Sequence, residues 1–262
     1  MTAHVTTTEL DLAYGDTVIV TDASVAFPAG QITVIVGRNG CGKSTLLRGL
    51  ARLMPPAAGA VLLDGADIAH EPARVLARRL GMLPQQPVAP DGITVGELVG
   101  RGRHPHQRWF RQWSEQDATA VRNALAATDT LDLIDRTMDQ LSGGQRQRVW
   151  IALAIAQDPE VMLLDEPTTF LDLAHQLDVL DVLRNLLPRT IIAVLHDLNL
   201  AARYADHLVA MKDGRVVEQG PPAQIVRAEL VSEVFDLDCA VIEDPITGTP
   251  LVVPARRTVR TT

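Results

Sequence analysis

Cysteine is scarce in this chain: Cys41 and Cys239 are the two present in 262 residues, far apart and in no metal-ligand spacing. That argues against a disulfide framework and fits a reducing compartment. Aromatic residues make up 3%, so any cluster of them stands out. No apolar run approaches the roughly 20 residues that cross a bilayer. The opening stretch MTAHVTTTELDLAYG lacks the charged-then-apolar order of a signal peptide. Any membrane role must therefore come through a partner. Positive charge is also short. A net charge of −8 runs against electrostatic capture of nucleic acid, and no nucleic-acid partner is expected. What is present is 47% apolar and 21% charged residues, enough for a buried core with at most a subdomain.

Residues 5–36 read as strands. HVTTTELDLAYG and DTVIVTDASVAF are separated by the turn signal Gly15-Asp16. QITVIVG, β-branched and apolar, reads as a strand buried on both faces. A helix is predicted from Lys43 to about Leu53, stopped by Pro55-Pro56, and GAVLLDG and RRLGMLP are further strands. From about Gln86 to Pro159 the character turns helical, with VGELVGRG, SEQDATAVRNALAATD and GGQRQRVWIALAIAQ. Ser114 and Asp117 give the second of these a capping-box-like start. Strand and helix then alternate through VMLLD, LAHQLDVLDVLRNLL, TIIAVLH and DLNLAARYA, and HLVAMKDGRVVEQG reads as a hairpin turning at Asp213-Gly214. The pattern is an α/β core interrupted by a helical insertion. The tail PARRTVRTT, residues 254–262, reads as a flexible, basic, solvated end.

GRNGCGKST, residues 37–45, fits G-x-x-x-x-G-K-[ST] between a predicted strand and helix. Gly37, Gly40 and Gly42 let the backbone wrap a phosphate, and the amides from Asn39 through Cys41 to Thr45 are expected to point inward. Lys43 supplies charge to the β- and γ-phosphates, and the Ser44 hydroxyl can ligate Mg²⁺. Cys41, inside this loop, is expected to be open to alkylation. VMLLDEP, residues 161–167, is a buried strand ending in two carboxylates. Asp165 is expected near the Mg²⁺ water shell. Glu166, on the opposite side by strand alternation, can accept a proton from a water attacking the γ-phosphate, or orient it. TIIAVLHD brings His196 to another strand end, where it can hydrogen-bond the γ-phosphate. Gln85 or Gln86 in GMLPQQ ends a further strand with an amide able to touch Mg²⁺ or the attacking water. Tyr14 can stack on a base. LSGGQRQRVW, residues 141–150, offers a second anion-facing helix start at Ser142, Gly143, Gly144 and Gln145, with no lysine.

Together these stretches resemble the ATP-binding subunit of ABC transporters over about residues 5–240. GRNGCGKST is similar to Walker A, VMLLDEP to Walker B, LSGGQRQRV to the family signature, LHD to the switch-histidine motif, LPQQ to the Q-loop with Gln85 the matching position, and FLD to the D-loop with Asp172. The resemblance implies a P-loop NTPase fold of the ABC ATPase type. Residues 1–85 and 160–253 would form a RecA-like α/β core with an antiparallel β subdomain, and 86–159 an inserted α-helical subdomain carrying the signature. It further implies a head-to-tail homodimer holding two ATPs. Each would lie on one subunit's Walker A, with Tyr14 on adenine, under the other subunit's Ser142, Gly143, Gly144 and Gln145. Glu166 would be the hydrolytic base, assisted by Lys43, Gln85 and His196. Mg²⁺ would sit at Ser44, Gln85 and Asp165, and Asp172 would tie the two sites together.

Residues 93–117 and EPTTFLDLAHQ, residues 166–176, are more similar to the ferric-siderophore importer ATPases than to the haem or vitamin B12 ones. That resemblance implies an ATPase energising iron-chelate uptake through a separate integral membrane permease. The permease would be fed by an external substrate-binding protein, and the ATPase would sit at the cytoplasmic face of a bacterial plasma membrane. Trp109, Phe110 and Trp113 fall within five residues. Interface hot spots favour such aromatics, so residues 93–113 are expected to border the groove for a permease coupling helix. His104 and His106 read as surface or interface residues. Two alternatives stand: a haem or cobalamin importer ATPase, and a soluble ABC ATPase of the iron–sulfur assembly type. Co-purification with membrane protein would exclude the soluble one.

Overall fold

The computed structural model describes residues 4–107, 113–169 and 171–255. The clustered aromatics Trp109 and Phe110, and most of the basic tail, lie outside them. Along the chain come β1 (Val5–Tyr14), β2 (Thr17–Ala23), β3 (Ala26–Phe27), β4 (Ile32–Gly37), α1 (Lys43–Leu50), β5 (Ala58–Leu63) and β6 (Ala66–Asp67). Then follow α2 (Ala73–Arg79), β7 (Leu80–Leu83), α3 (Val95–Gly100), α4 (Glu115–Ala127), α5 (Gly143–Ala156) and β8 (Val161–Asp165). The last part holds α6 (Leu173–Asn185), β9 (Thr190–Val194), α7 (Leu198–Tyr204), β10 (His207–Lys212), β11 (Arg215–Gly220), α8 (Pro222–Ile225), α9 (Ala228–Phe235), β12 (Cys239–Glu243) and β13 (Pro250–Pro254).

The strands form two large sheets and a small hairpin. One sheet runs β2-β1-β5-β6, with β3 also on β1, all antiparallel. The other runs β11-β10-β4-β9-β8-β7 and is parallel except at β11. Its central strands are buried on both faces, which is why they read as unbroken apolar runs. Period-2 alternation sends their side chains to two different cores. Ile35, Leu163, Ile192 and Val209 enter a core shared with α1 and the antiparallel sheet. Val34, Leu164, Ala193 and Ala210 enter a second core under α6, α7 and α9. A third core joins α3, α4 and α5.

Helix α5 belongs to two of these cores: Val149, Ala152 and Ala156 pack with the helical insertion, Ile151 and Ala154 with the sheet. An apolar surface on all sides is what a helix buried between two bodies requires. The segment after α3 is strapped over the end of α5. Gly102 is needed there because a Cβ would lie 2.6 Å from the Leu153 carbonyl oxygen. Arg103 donates to Asp117 (2.9 Å) and to the Ala156 carbonyl (2.7 Å). Ser114 and Asp117 complete the capping box expected from the sequence. The His106 ring meets the Gln157 carbonyl at 2.7 Å. Of the three clustered aromatics, Trp113 is described: it is half exposed, with its indole edge against Gly100 of α3.

Candidate active site

Four loops converge because they leave the carboxyl ends of parallel strands, where open α/β sheets bind ligands. They follow β4, β7, β8 and β9 and carry residues 37–45, Gln85, Asp165–Glu166 and His196. A cavity of about 330 Å³ lies among them, lined in part by Asn39, Gly40, Gly42, Lys43, Ser44 and Thr45. Gln85, Glu166, His196 and Ile19 complete its wall.

The loop after β4 is fixed by close backbone approach. Gly37 has φ +151°, and a Cβ there would fall 2.3 Å from the Met211 carbonyl oxygen, so no other residue fits. Helix α1 starts from the left-handed Gly42 with no side-chain cap and no acid in its first turn. Helices α3 to α7, by contrast, each have a side chain accepting at their start: Thr94, Ser114, Ser142, Asp172 and Asp197. The amides opening α1 are thus left for an anion. Lys43 Nζ donates to the carbonyls of Gly37 (2.8 Å) and Arg38 (2.9 Å), which holds its charge at the loop mouth.

Ser44 donates to Asp165 at 2.8 Å. Burial pushes the Asp165 carboxyl up, against the Ser44 hydrogen bond. A buried carboxylate beside a hydroxyl is a hard oxygen pair suited to Mg²⁺. Glu166 departs from the expectation of strand alternation. The strand ends at Asp165, and Glu166 takes a left-handed φ of 53°, which swings its buried carboxylate into the cavity on the same side as Ser44. There it accepts from Gln85 Nε2 (2.5 Å) and Thr169 Oγ1 (3.0 Å) and meets His196 Nε2 at 2.5 Å. A strained non-glycine residue of this kind tends to mark a functional turn. Gln85 is the glutamine that lines the cavity; Gln86 is not.

One further sequence-based assignment changes. Cys41 is buried in the core behind the loop, its amide donates to Arg38, and burial raises its thiol above the usual range despite the Lys43 charge. It is therefore not open to alkylation, and its side chain does not face the cavity. Tyr14 stands exposed, accepts from Arg48 of α1 (3.0 Å) and lies outside the lining of this cavity, to which Ile19 contributes. Sequence reading also missed Thr169; its place three residues past Glu166 was the available signal.

Ser142, Gly143, Gly144, Gln145 and Asp172 lie outside this cavity. Ser142 caps α5, accepting from the Gln145 amide, and the Gln145 side chain accepts from the Ser142 amide. Asp172 caps α6 and meets His175 Nδ1 at 2.6 Å. That imidazole lies beside Gly144. Gln147 of α5 donates to the Pro167 carbonyl (2.8 Å), which links the glycine-rich helix start to the turn after Glu166.

A phosphate loop ahead of an open helix start, a strand-end acid bonded to its serine, and a glutamate gripped by glutamine and histidine define a nucleoside triphosphatase. The chain belongs to the ABC transporter family, whose profile matches residues 20–169, and within it is an ATP-binding subunit that hydrolyses ATP. It is 54% identical over 260 residues to the achromobactin transport ATP-binding protein CbrD of Dickeya dadantii, covering 98% of this chain and 96% of that one. It is 51% identical over 257 residues to the ferric enterobactin transport ATP-binding protein FepC of Escherichia coli, covering 97% and 95%. Among solved structures, a chain of a metal-chelate type ABC transporter in an inward-facing conformation superposes with a TM-score of 0.83 at 26% identity, covering 97% and 98%. No described helix is long and apolar enough to cross a membrane.

Proposed function

We propose that this chain energises the uptake of a ferric siderophore through a separate membrane permease, from the cytoplasmic face of a bacterial plasma membrane. The observation that carries the substrate class is identity above half, over nearly the full length, to ATP-binding proteins of achromobactin and ferric enterobactin transport. Substrate would reach the permease from an external binding protein and would not touch this chain.

In this reading the phosphates of ATP lie in the cavity, on the uncapped start of α1 and on Lys43, while the adenine extends beyond it to the exposed ring of Tyr14. Mg²⁺ would be held at Ser44, Asp165 and Gln85; when bound it neutralises phosphate charge. Glu166 orients the attacking water and takes its proton, while His196 and Gln85 hold that carboxylate in place. Phosphoryl transfer then depends mainly on positioning and charge. The second helix start, at Ser142 to Gln145, and Asp172 lie off this cavity, which supports a homodimer in which they complete the partner's site. Ser142→Arg tests it: ATP binding should survive and hydrolysis should fail. Loss of binding by that variant alone would place Ser142 within its own chain's site. Radiolabelled iron uptake in cells lacking the chain, compared for ferric siderophore, haem and cobalamin, tests the substrate.

A further inference from the structure

The C-terminal hairpin β12–β13 lies beyond the stretch matched by the family profile, yet it grips the helix that follows His196. Two residues on one face of α7, four apart, reach it. Asn199 makes a reciprocal pair with Val252: its Nδ2 donates to the Val252 carbonyl (3.2 Å), and its Oδ1 accepts from the Val252 amide (2.7 Å). Arg203 donates to Asp244 at 2.6 Å. Asp244 is itself buried and accepts from the amides of Ile246 (2.9 Å) and Thr247 (3.4 Å), so it is locked within the hairpin turn. Val252 also enters the apolar core that holds Leu200, Ala201 and Ala202.

The other end of α7 is tied as firmly. Asp197 accepts from the amides of Asn199 (2.8 Å) and Leu200 (3.0 Å). His196 immediately precedes this cap and meets Glu166 at 2.5 Å. The chain between the hairpin's grip and the imidazole is therefore one short, capped helix with no slack.

We propose that Asn199 and Asp244 are positioning residues through which the C-terminal hairpin fixes α7 and so sets the reach of His196 toward Glu166. This rests on the reading of His196 as part of the hydrolytic site. A shift of about 1 Å at a reacting group can cost on the order of a hundredfold in rate, so a hairpin that begins at Cys239, 43 residues after His196, governs turnover without touching nucleotide.

The test uses the purified full chain, with ¹³C-labelled histidine and NMR. The His196 ring signal is assigned by its disappearance in His196→Ala. In Asn199→Ala, and more so in Asn199→Ala/Asp244→Ala, that signal should shift or broaden while the signal of the distant, exposed His70 stays put. ATP turnover should fall on the order of tenfold or more with KM for ATP within about twofold. Arg203→Lys, which keeps a donor for Asp244, should retain most of the activity that Arg203→Ala loses. If the double variant fails to fold, Asn199→Ala is read alone, since alanine favours the helix. An unmoved His196 signal with unchanged turnover overturns the proposal, as does a fall in turnover that leaves the His196 signal in place. If His196→Ala itself turns over normally, the role of His196 fails, but the NMR comparison still decides the coupling.

Discussion

Removing Asp117 isolates one buried charge. Arg103 and Asp117 have side chains 10% and 9% exposed, so neither is solvated well enough to stand alone. Burial on its own would raise the Asp117 carboxyl, but the Ser114 hydrogen bonds and Arg103 outweigh it and hold the group below the usual range. Breaking a buried pair from one side costs about 3–5 kcal/mol, because the remaining charge stays buried without its partner. The Ala156 carbonyl still accepts from Arg103, which places Asp117→Ala at the lower end, about 3 kcal/mol. The lost capping box adds about 1 kcal/mol. At about 2–4 °C per kcal/mol for a chain of this size, thermal unfolding followed by circular dichroism should fall by about 8–16 °C. Ser114→Ala, which removes the cap and one hydrogen bond to Asp117 but leaves the Arg103 pair, should cost less, about 1–2 kcal/mol. Arg103→Met/Asp117→Ala should be more stable than Asp117→Ala, because no buried charge remains. Since the folded carboxyl is depressed, this contribution is present at neutral pH and is lost as pH falls through and below the ordinary carboxylate range. An Asp117→Ala transition within about 2 °C of wild type, or a double variant no better than the single, would refute the reasoning.

Glu166→Gln should cut ATP turnover by about 10²- to 10⁴-fold while nucleotide affinity is retained; brisk turnover by this variant would remove Glu166 from its role. Iodoacetamide should leave Cys41 unmodified in the folded chain and label it after denaturation, read by mass spectrometry of the loop peptide. Asp244 is depressed from 3.8 to about 2, chiefly by Arg203, so its grip on α7 should hold above about pH 4. It should weaken between there and about pH 2, seen as loss of amide-exchange protection at Ile246.

The central strands and the four loops at their ends were legible because each obeys a local rule. Apolar runs mark two-sided burial, and GRNGCGKST, LDEP and LHD carry their chemistry in consecutive residues. Helix α2 was not, because ARVLARR buries Leu76 alone and presents no apolar stripe. The β12–β13 hairpin escaped for a related reason: Ile242 and Val253 face outward, and prolines at both ends of β13 weaken a strand reading. The side to which Glu166 turns depends on a left-handed backbone that sequence rarely betrays for a non-glycine residue. Cys41 was misjudged because proximity to a phosphate loop in sequence says nothing about which way one side chain inside it points.

The two-core helix α5 behaves as a lever with an anchored heel. Its last turn is held by Arg103 on the Ala156 carbonyl and by the neighbouring Gln157, which donates to the Ala77 and Leu80 carbonyls. Its first turn carries Ser142 into solvent. Fourteen residues at 1.5 Å each make a shaft of about 21 Å. Tilting it by about 10° about the heel would carry the serine end roughly 3–4 Å, the difference between holding a phosphate oxygen and releasing it. In the proposed homodimer, such a tilt would open or close the site on the other subunit.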